Sequence, residues 1–319
     1  MSTPLKDATF EAMEVGEELG PIELVVDDHY VKRFAFCVDD HHPWCVGGGS
    51  PFGGRVGHAA ILVPELLRLL NTRYDPNTEV GLHQKEEIWF SSAVHLDEPV
   101  ILTGSFVDKY VKRDKGYIVT DAEARSRVDG RLLVRHRSIE IARVDPDVNL
   151  GGGSSVPAGD ARRVEGVFPD DREPVARARA DLPVGTPVIG PAKRVHQDQM
   201  SVFSNVQAFW RNIHTDLDVA RKAGSDRTIA QGLMESIYIS ELGTSFFGRS
   251  WFETGWTFHT FVHPVYADDV LETRAVVCGR PESPAGPRLE LEVWLENQDG
   301  VKVAVGWLSA VVGEDATTP

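Results

Sequence analysis

The chain has 319 residues, 42% of them hydrophobic, and 33 Lys plus Arg against 48 Asp plus Glu, for a formal net charge of −15. That apolar content fills two cores of ordinary size, each of roughly 100 to 150 residues, while the acidity repels polyanions and argues against a nucleic-acid or anionic-membrane partner. Three cysteines without a CxxC pair point to a reducing compartment, by default the cytoplasm, and no signal-peptide core or apolar run of ~20 residues is present, which reads as a soluble protein.

After a Val15-Gly16 turn and a short strand, helical spacing around Tyr30 to Val38 leads into a loop, Asp39-Asp40-His41-His42-Pro43-Trp44-Cys45. Ala59 to Leu70 is hydrophobic almost all round and predicts a buried helix, with Pro64 in its first turn or kinking it. Alternation and β-branched residues predict strands over Glu86 to Ser91, Val100 to Tyr110, Tyr117 to Ser126 and Leu132 to Ala142. Asp129-Gly130 has the chemistry of a tight hairpin, and Lys109 to Gly116 reads as a solvated hairpin tip in preference to a phosphate patch. Asp145 to Arg177, rich in Gly, Pro, Arg and Asp, predicts a linker that is mobile around Gly151 to Ser155.

The series then returns. With Val184-Gly185 placed on Val15-Gly16, Phe203 falls on Phe34, Phe209 on Asp40 and His214 on Cys45 without a gap. A helical segment over Gln199 to Phe209 precedes a loop, an apolar helix over Gly232 to Phe247, and strands over Trp256 to His263, Val270 to Val277, Leu289 to Asn297 and Lys302 to Val312. Asp299-Gly300 answers Asp129-Gly130, so the period is about 170 residues, which means duplicated domains and not a solenoid. The division is an N-terminal domain over 1–146, a linker over 147–180, a C-terminal domain over 181–313 and a frayed tail over 314–319, with the two domains able to pack as a pseudo-dimer.

A long helix wrapped by an antiparallel sheet, in tandem copies, is the double hot-dog plan of the α+β class. The second half resembles the MaoC-type (R)-specific enoyl-CoA hydratases and 3-hydroxyacyl dehydratases, whose pattern runs Gly-Asp-x-Asn-Pro-x-His-x-Asp, then Ala-x-x-x-Gly, then a His-Gly-Met helix start. His214, Asp216, Ala220 and Gly224 stand at those spacings, Ala230-Gln231-Gly232-Leu233-Met234 resembles the helix start, and Phe209 replaces the Asp. The first half keeps Asp40 and Pro43, with His42 at the Asn position and Cys45 at the His position. Ser50 to Val56 resembles the glycine-rich approach and Gly57-His58-Ala59 the helix start, while Phe261 to Val265 and Asp268-Asp269-Val270-Leu271 are similar to later stretches of the family. The resemblance spans most of both halves but not the linker.

The resemblance implies a cavity in which Asp and His hold a water for syn addition across an α,β-unsaturated acyl thioester, while an amide at the helix start binds the enolate oxygen. Neither half keeps both partners, and the pseudo-two-fold separates Asp40 from His214. The candidates in the first half are Asp40 and His42 as the acid-base pair, His58 nearby, the amides of Gly57 to Ala59 as the oxyanion site, and His41 and Cys45 as substrate contacts. In the second half they are His214, with Gln231 and Gly232 at the helix start, and Arg211, which either holds a ligand anion or pairs with Asp216. The bland alternatives are loop-capping residues around Asp40 and His42, Cys45 as a small buried filler, and His214 as a structural histidine donating to backbone. No metal is expected, because adjacent loop residues seldom converge on one ion and no HExxH occurs, and no cofactor is implied. The expected activity is a hydro-lyase acting on a small-molecule acyl thioester, in a chain able to form a homodimer. Its rivals are an isomerase or cyclase that adds no water and a non-catalytic acyl-CoA-binding or partner subunit.

Overall fold

The computed structural model describes residues 4–78, 81–145, 147–151, 162–169, 171–204 and 211–313. In the first half, β1 (Lys6–Asp7) and β3 (Tyr74–Asp75) form a small parallel pair, while β2 (Glu18–Val26), β4 (Leu82–Phe90), β5 (Glu98–Lys112), β6 (Lys115–Ser126) and β7 (Leu132–Ala142) belong to the main sheet. The second half adds β8 (Pro187–Arg194), β9 (Trp256–Phe261), β10 (Val270–Gly279), β11 (Arg288–Asn297) and β12 (Lys302–Val311). These make one antiparallel sheet of ten strands in the order β2-β5-β6-β7-β4-β9-β12-β11-β10-β8. The halves therefore contribute five strands each and meet at β4 and β9, where Glu86 pairs with His259 and Ile88 with Thr257. The tip joining β5 to β6 is Arg113-Asp114, both at positive φ (52° and 57°), the geometry of a two-residue turn whose twist matches the strands.

The helices are α1 (Asp28–Val38), α2 (Pro43–Val46), α3 (Val63–Leu67) followed by a 3₁₀ turn (Arg68–Thr72), α4 (Gln197–Phe203), α5 (Leu217–Lys222), α6 (Gly232–Phe247) and α7 (Arg249–Thr254). Only the second half has a long central helix. The one expected over Ala59 to Leu70 is interrupted, because Pro64 has no N–H and its ring would strike the carbonyl four residues back. Residues 59–62 instead form tight turns, with Ile61 N–H donating to His58 and Val63 N–H to Ala60 at 3.0 Å each, and helix begins at Val63. α6 is buried on nearly every side, against β8 to β12 and against α1. Gly243 is required there, since a Cβ would overlap the Trp251 indole, which packs flat on the helix and donates to Ser240 Oγ at 3.0 Å. The expected helix over Gln199 to Phe209 runs to Phe203, and Phe209 and Trp210 lie outside the described residues, as do most of the glycine-serine segment after Gly151 and the tail.

A buried ionic cluster of the first half lies beside the seam between the halves. Glu86 is fully buried on β4, with His83 Nε2 and His136 Nε2 each 2.5 Å from its carboxylate. His259 Nε2 lies 2.8 Å from Ser236 Oγ on α6, and Glu235, also on α6, is buried close to His83. Burial works against the charge on Glu86, but the imidazoles of His136 and His83 overcome it and hold the carboxyl at about 2. His83 is likewise disfavoured as a cation by burial and rescued by Glu86, to about 9. His259, buried without a carboxylate contact of its own, falls to about 4, and burial keeps Glu235 protonated. Past the linker's undescribed stretch, Arg162 pairs with Glu290 at 2.8 Å and stacks over Trp307, fastening that segment to the outer face of the second half. No helix among the described residues is long and apolar enough to cross a membrane.

Candidate active site

The first-half loop is shaped by its own side chains. Asp27 caps α1 by accepting from Tyr30 N–H at 2.7 Å, and the helix ends at Asp39, whose left-handed backbone (φ 49°) turns the chain toward the interior. Asp40 then folds the loop over, its Oδ1 accepting from His42 N–H at 3.0 Å, and His42 Nδ1 accepts from Trp44 N–H at 3.3 Å at the start of α2. The glycine-rich approach brings the chain back, with Gly57 N–H donating to the Val94 carbonyl at 2.9 Å. That seats His58 against Asp40. The His58 Nε2–H donates to the Asp40 carbonyl oxygen at 2.8 Å and lies 3.8 Å from Asp40 Oδ2.

Asp40, His42, Cys45, His58, Ala59 and Ala60 line one side of a narrow cavity of about 10 Å³, and Ile237, Ser240, Glu241 and Thr244 of α6, with Phe252 of α7, complete it. That is about the space of a single water. His58 is 4% exposed, and its Nδ1 has no hydrogen-bond partner. With Nε2 carrying the proton and burial lowering the imidazole's affinity for a second one, Nδ1 is a free base, and the nearby Asp40 carboxylate favours the cation formed when it accepts a proton. Burial lowers His42 as well, and its Nδ1 is occupied, which leaves Nε2–H as a donor. The Cys45 thiol is pushed well up by burial and stays neutral, the chemistry of a small filler. Among the described residues no His, Cys, Asp and Glu group is arranged to hold a metal ion.

The other expected residues separate from this cavity. His41 points outward, its side chain 62% exposed beside Asp39. The Gly57 amide is spent on Val94 and its missing side chain clears Ile61, which removes it as an oxyanion donor; the amides of Ala59 and Ala60 donate to no carbonyl among the described residues. His214 is not in the cavity: its Nδ1–H donates to the Ile229 carbonyl at 2.7 Å and burial keeps the ring neutral, the structural reading of this residue. Arg211 is exposed and pairs with Asp216 at 2.6 Å. Gln231 precedes α6 and donates to the Met200 carbonyl at 3.0 Å, and Gly232 packs under the Phe261 ring. Asp40 and His214 therefore do not meet.

Sequence reasoning overlooked Lys193, Ser240 and Glu241. Lys193 Nζ, almost wholly buried, lies 2.9 Å from Glu241 Oε1 and donates to the Asp39 carbonyl. Burial, then repulsion from Asp40, pushes the Glu241 carboxyl up to about 7. The signal was present, since Glu235 and Glu241 are the two acidic residues in a largely apolar α6.

Fold and cavity together define a double hot-dog protein with an ionisable pocket between its halves. No family model and no curated relative matches the sequence. Solved structures do: a MaoC-like dehydratase superposes with a TM-score of 0.71 at 14% identity, covering 95% of this chain and all of that one. A MaoC-like dehydratase from Phytophthora capsici gives 0.65 at 10% identity over 95% and 97% of the two chains. A double-hotdog protein from Mycobacterium tuberculosis gives 0.67 at 12% identity over 95% and 98%. The fold is thus the one found in MaoC-like dehydratases, end to end.

Proposed function

We propose that the chain is a hydro-lyase that adds water to, or removes it from, an α,β-unsaturated acyl thioester, with Asp40 and His58 as its acid-base pair. The observation that carries the reading is the buried His58, which lines the cavity and has an Nδ1 with no hydrogen-bond partner, while Asp40 stands 3.8 Å from its other nitrogen. In the hydration direction Nδ1 takes a proton from water, the water oxygen bonds to the β-carbon, and the double-bond electrons move to the α-carbon and the thioester oxygen. The Ala59 and Ala60 amides, which donate to no carbonyl among the described residues, receive that oxygen in this reading, and Asp40 favours the transient imidazolium. His42 Nε2–H supplies a donor at the cavity wall.

The test is incubation with short 2-enoyl-CoA and 3-hydroxyacyl-CoA thioesters in ¹⁸O-water. The wild type incorporates label at the β-carbon, and His58→Ala and Asp40→Asn, folded by circular dichroism, lose activity by about 100-fold or more. Turnover without label assigns an isomerase in the same cavity. Binding without turnover assigns a carrier or partner subunit.

A further inference from the structure

The cavity has one ionisable wall in each half, and the functional reading above uses only the first. We propose that Glu241 of α6 is a second catalytic residue of the Asp40 site, the donor that protonates the α-carbon during hydration, and that Lys193 is its positioning residue. The inference rests on the hydro-lyase reading and deepens it.

Glu241 lines the same cavity as His58, so a double bond brought there meets both a base and a carboxyl. Its oxygen is held 2.9 Å from Lys193, whose ammonium is itself anchored on the Asp39 carbonyl, so the carboxyl is fixed from the far side. The groups around it are Asp39 and Asp40 at the end of α1, His42 and His58 of the loop, Lys193 of β8 and Tyr238 earlier on α6. Burial and Asp40 keep a proton on it to near neutrality, while Lys193 stabilises the anion left when that proton departs.

The step balances. Water gives its proton to His58 Nδ1 and its oxygen to the β-carbon, the π electrons form the enolate, and the Glu241 proton bonds to the α-carbon. The proton on His58 then returns to Glu241 through solvent, and dehydration is the reverse.

Rates with 2-enoyl-CoA thioesters across pH 5 to 9 test this for the wild type, Glu241→Gln and Lys193→Met, each checked for its thermal midpoint. Glu241→Gln is expected to lower kcat about 100-fold or more with KM little changed, and to erase the limb of the pH profile near 7. Lys193→Met keeps that limb and moves it to higher pH, because the neutralising charge is gone. An active wild type whose Glu241→Gln variant keeps both rate and limb overturns this inference and leaves the hydro-lyase reading standing. An inactive wild type overturns the hydro-lyase reading, and this inference falls with it. Glutamate-¹³C NMR separates a structural effect: a carboxyl titrating near 7 disappears in Glu241→Gln if the assignment holds, and persists if it belongs to another residue.

Discussion

Replacing Glu86 with Gln removes the buried anion that His83 and His136 share beside the junction of the half-sheets. Its carboxyl lies at about 2 against an ordinary 4.5, and at ~1.4 kcal/mol per tenfold this is about 3 kcal/mol of stability, within the range for breaking a buried ion pair. Full burial leaves no solvent to screen the interaction. The pH dependence has a definite sign. The depressed Glu86 contributes fully above about 4.5 and loses its effect as pH falls toward 2, whereas His83, raised from 6.5 to about 9, contributes fully below 6.5 and loses its effect as pH rises through 9. The gap between wild type and variant is therefore widest between pH 4.5 and 6.5 and closes on both sides. Urea unfolding followed by tryptophan fluorescence at pH 5.5 and pH 9.5 measures it, and a thermal midpoint lower by about 6 °C is expected at the former, at ~2 °C per kcal/mol. A gap below about 1 kcal/mol, or one of equal size at both pH values, would refute the ionic account of the seam.

Two further outcomes follow from packing. Gly243→Ala drives a methyl into the Trp251 indole and should cost about 1 to 3 kcal/mol, recovered in part by Gly243→Ala with Trp251→Phe; unfolding midpoints of the single and double variants decide it. Cys37 and Cys45 are 3% and 1% exposed, and burial raises the Cys37 thiol to about 11, so a disulfide reagent at pH 8 should label neither until urea unfolds the chain, as a mass spectrum before and after denaturation will show.

What the sequence disclosed depended on whether a residue's role was local. β7 was legible at both ends, because Leu132 to Ala142 alternates cleanly between turn residues and linker. β4 starts at Leu82, four residues before the alternation indicates, because the inward position that should have been apolar is Glu86, answered by His83 and His136 from outside the window. The first-half helix looked continuous since its residues are mostly apolar, and hydropathy cannot register the missing N–H of Pro64. Asp40 and His58 were singled out by motif, although their contact was not: His42 was expected as the partner of Asp40, and a 3.3 Å hydrogen bond from Trp44 to its Nδ1 leaves Nε2–H as a donor. Glu241 and Lys193 escaped because their surroundings come from the other copy. A repeat read as two separate domains gives no reason to place α6 of one against the loop of the other.

The continuous ten-stranded sheet has a consequence for how such a site can arise. In a dimer of identical single-domain chains every substitution appears twice, so a carboxylate introduced on one central helix is also forced on its twin. Joining the copies in one polypeptide lifts that symmetry. One cavity can then keep Asp40 and gain Glu241 without a matching change in the other copy, and the second copy is free to serve as the wall of the first.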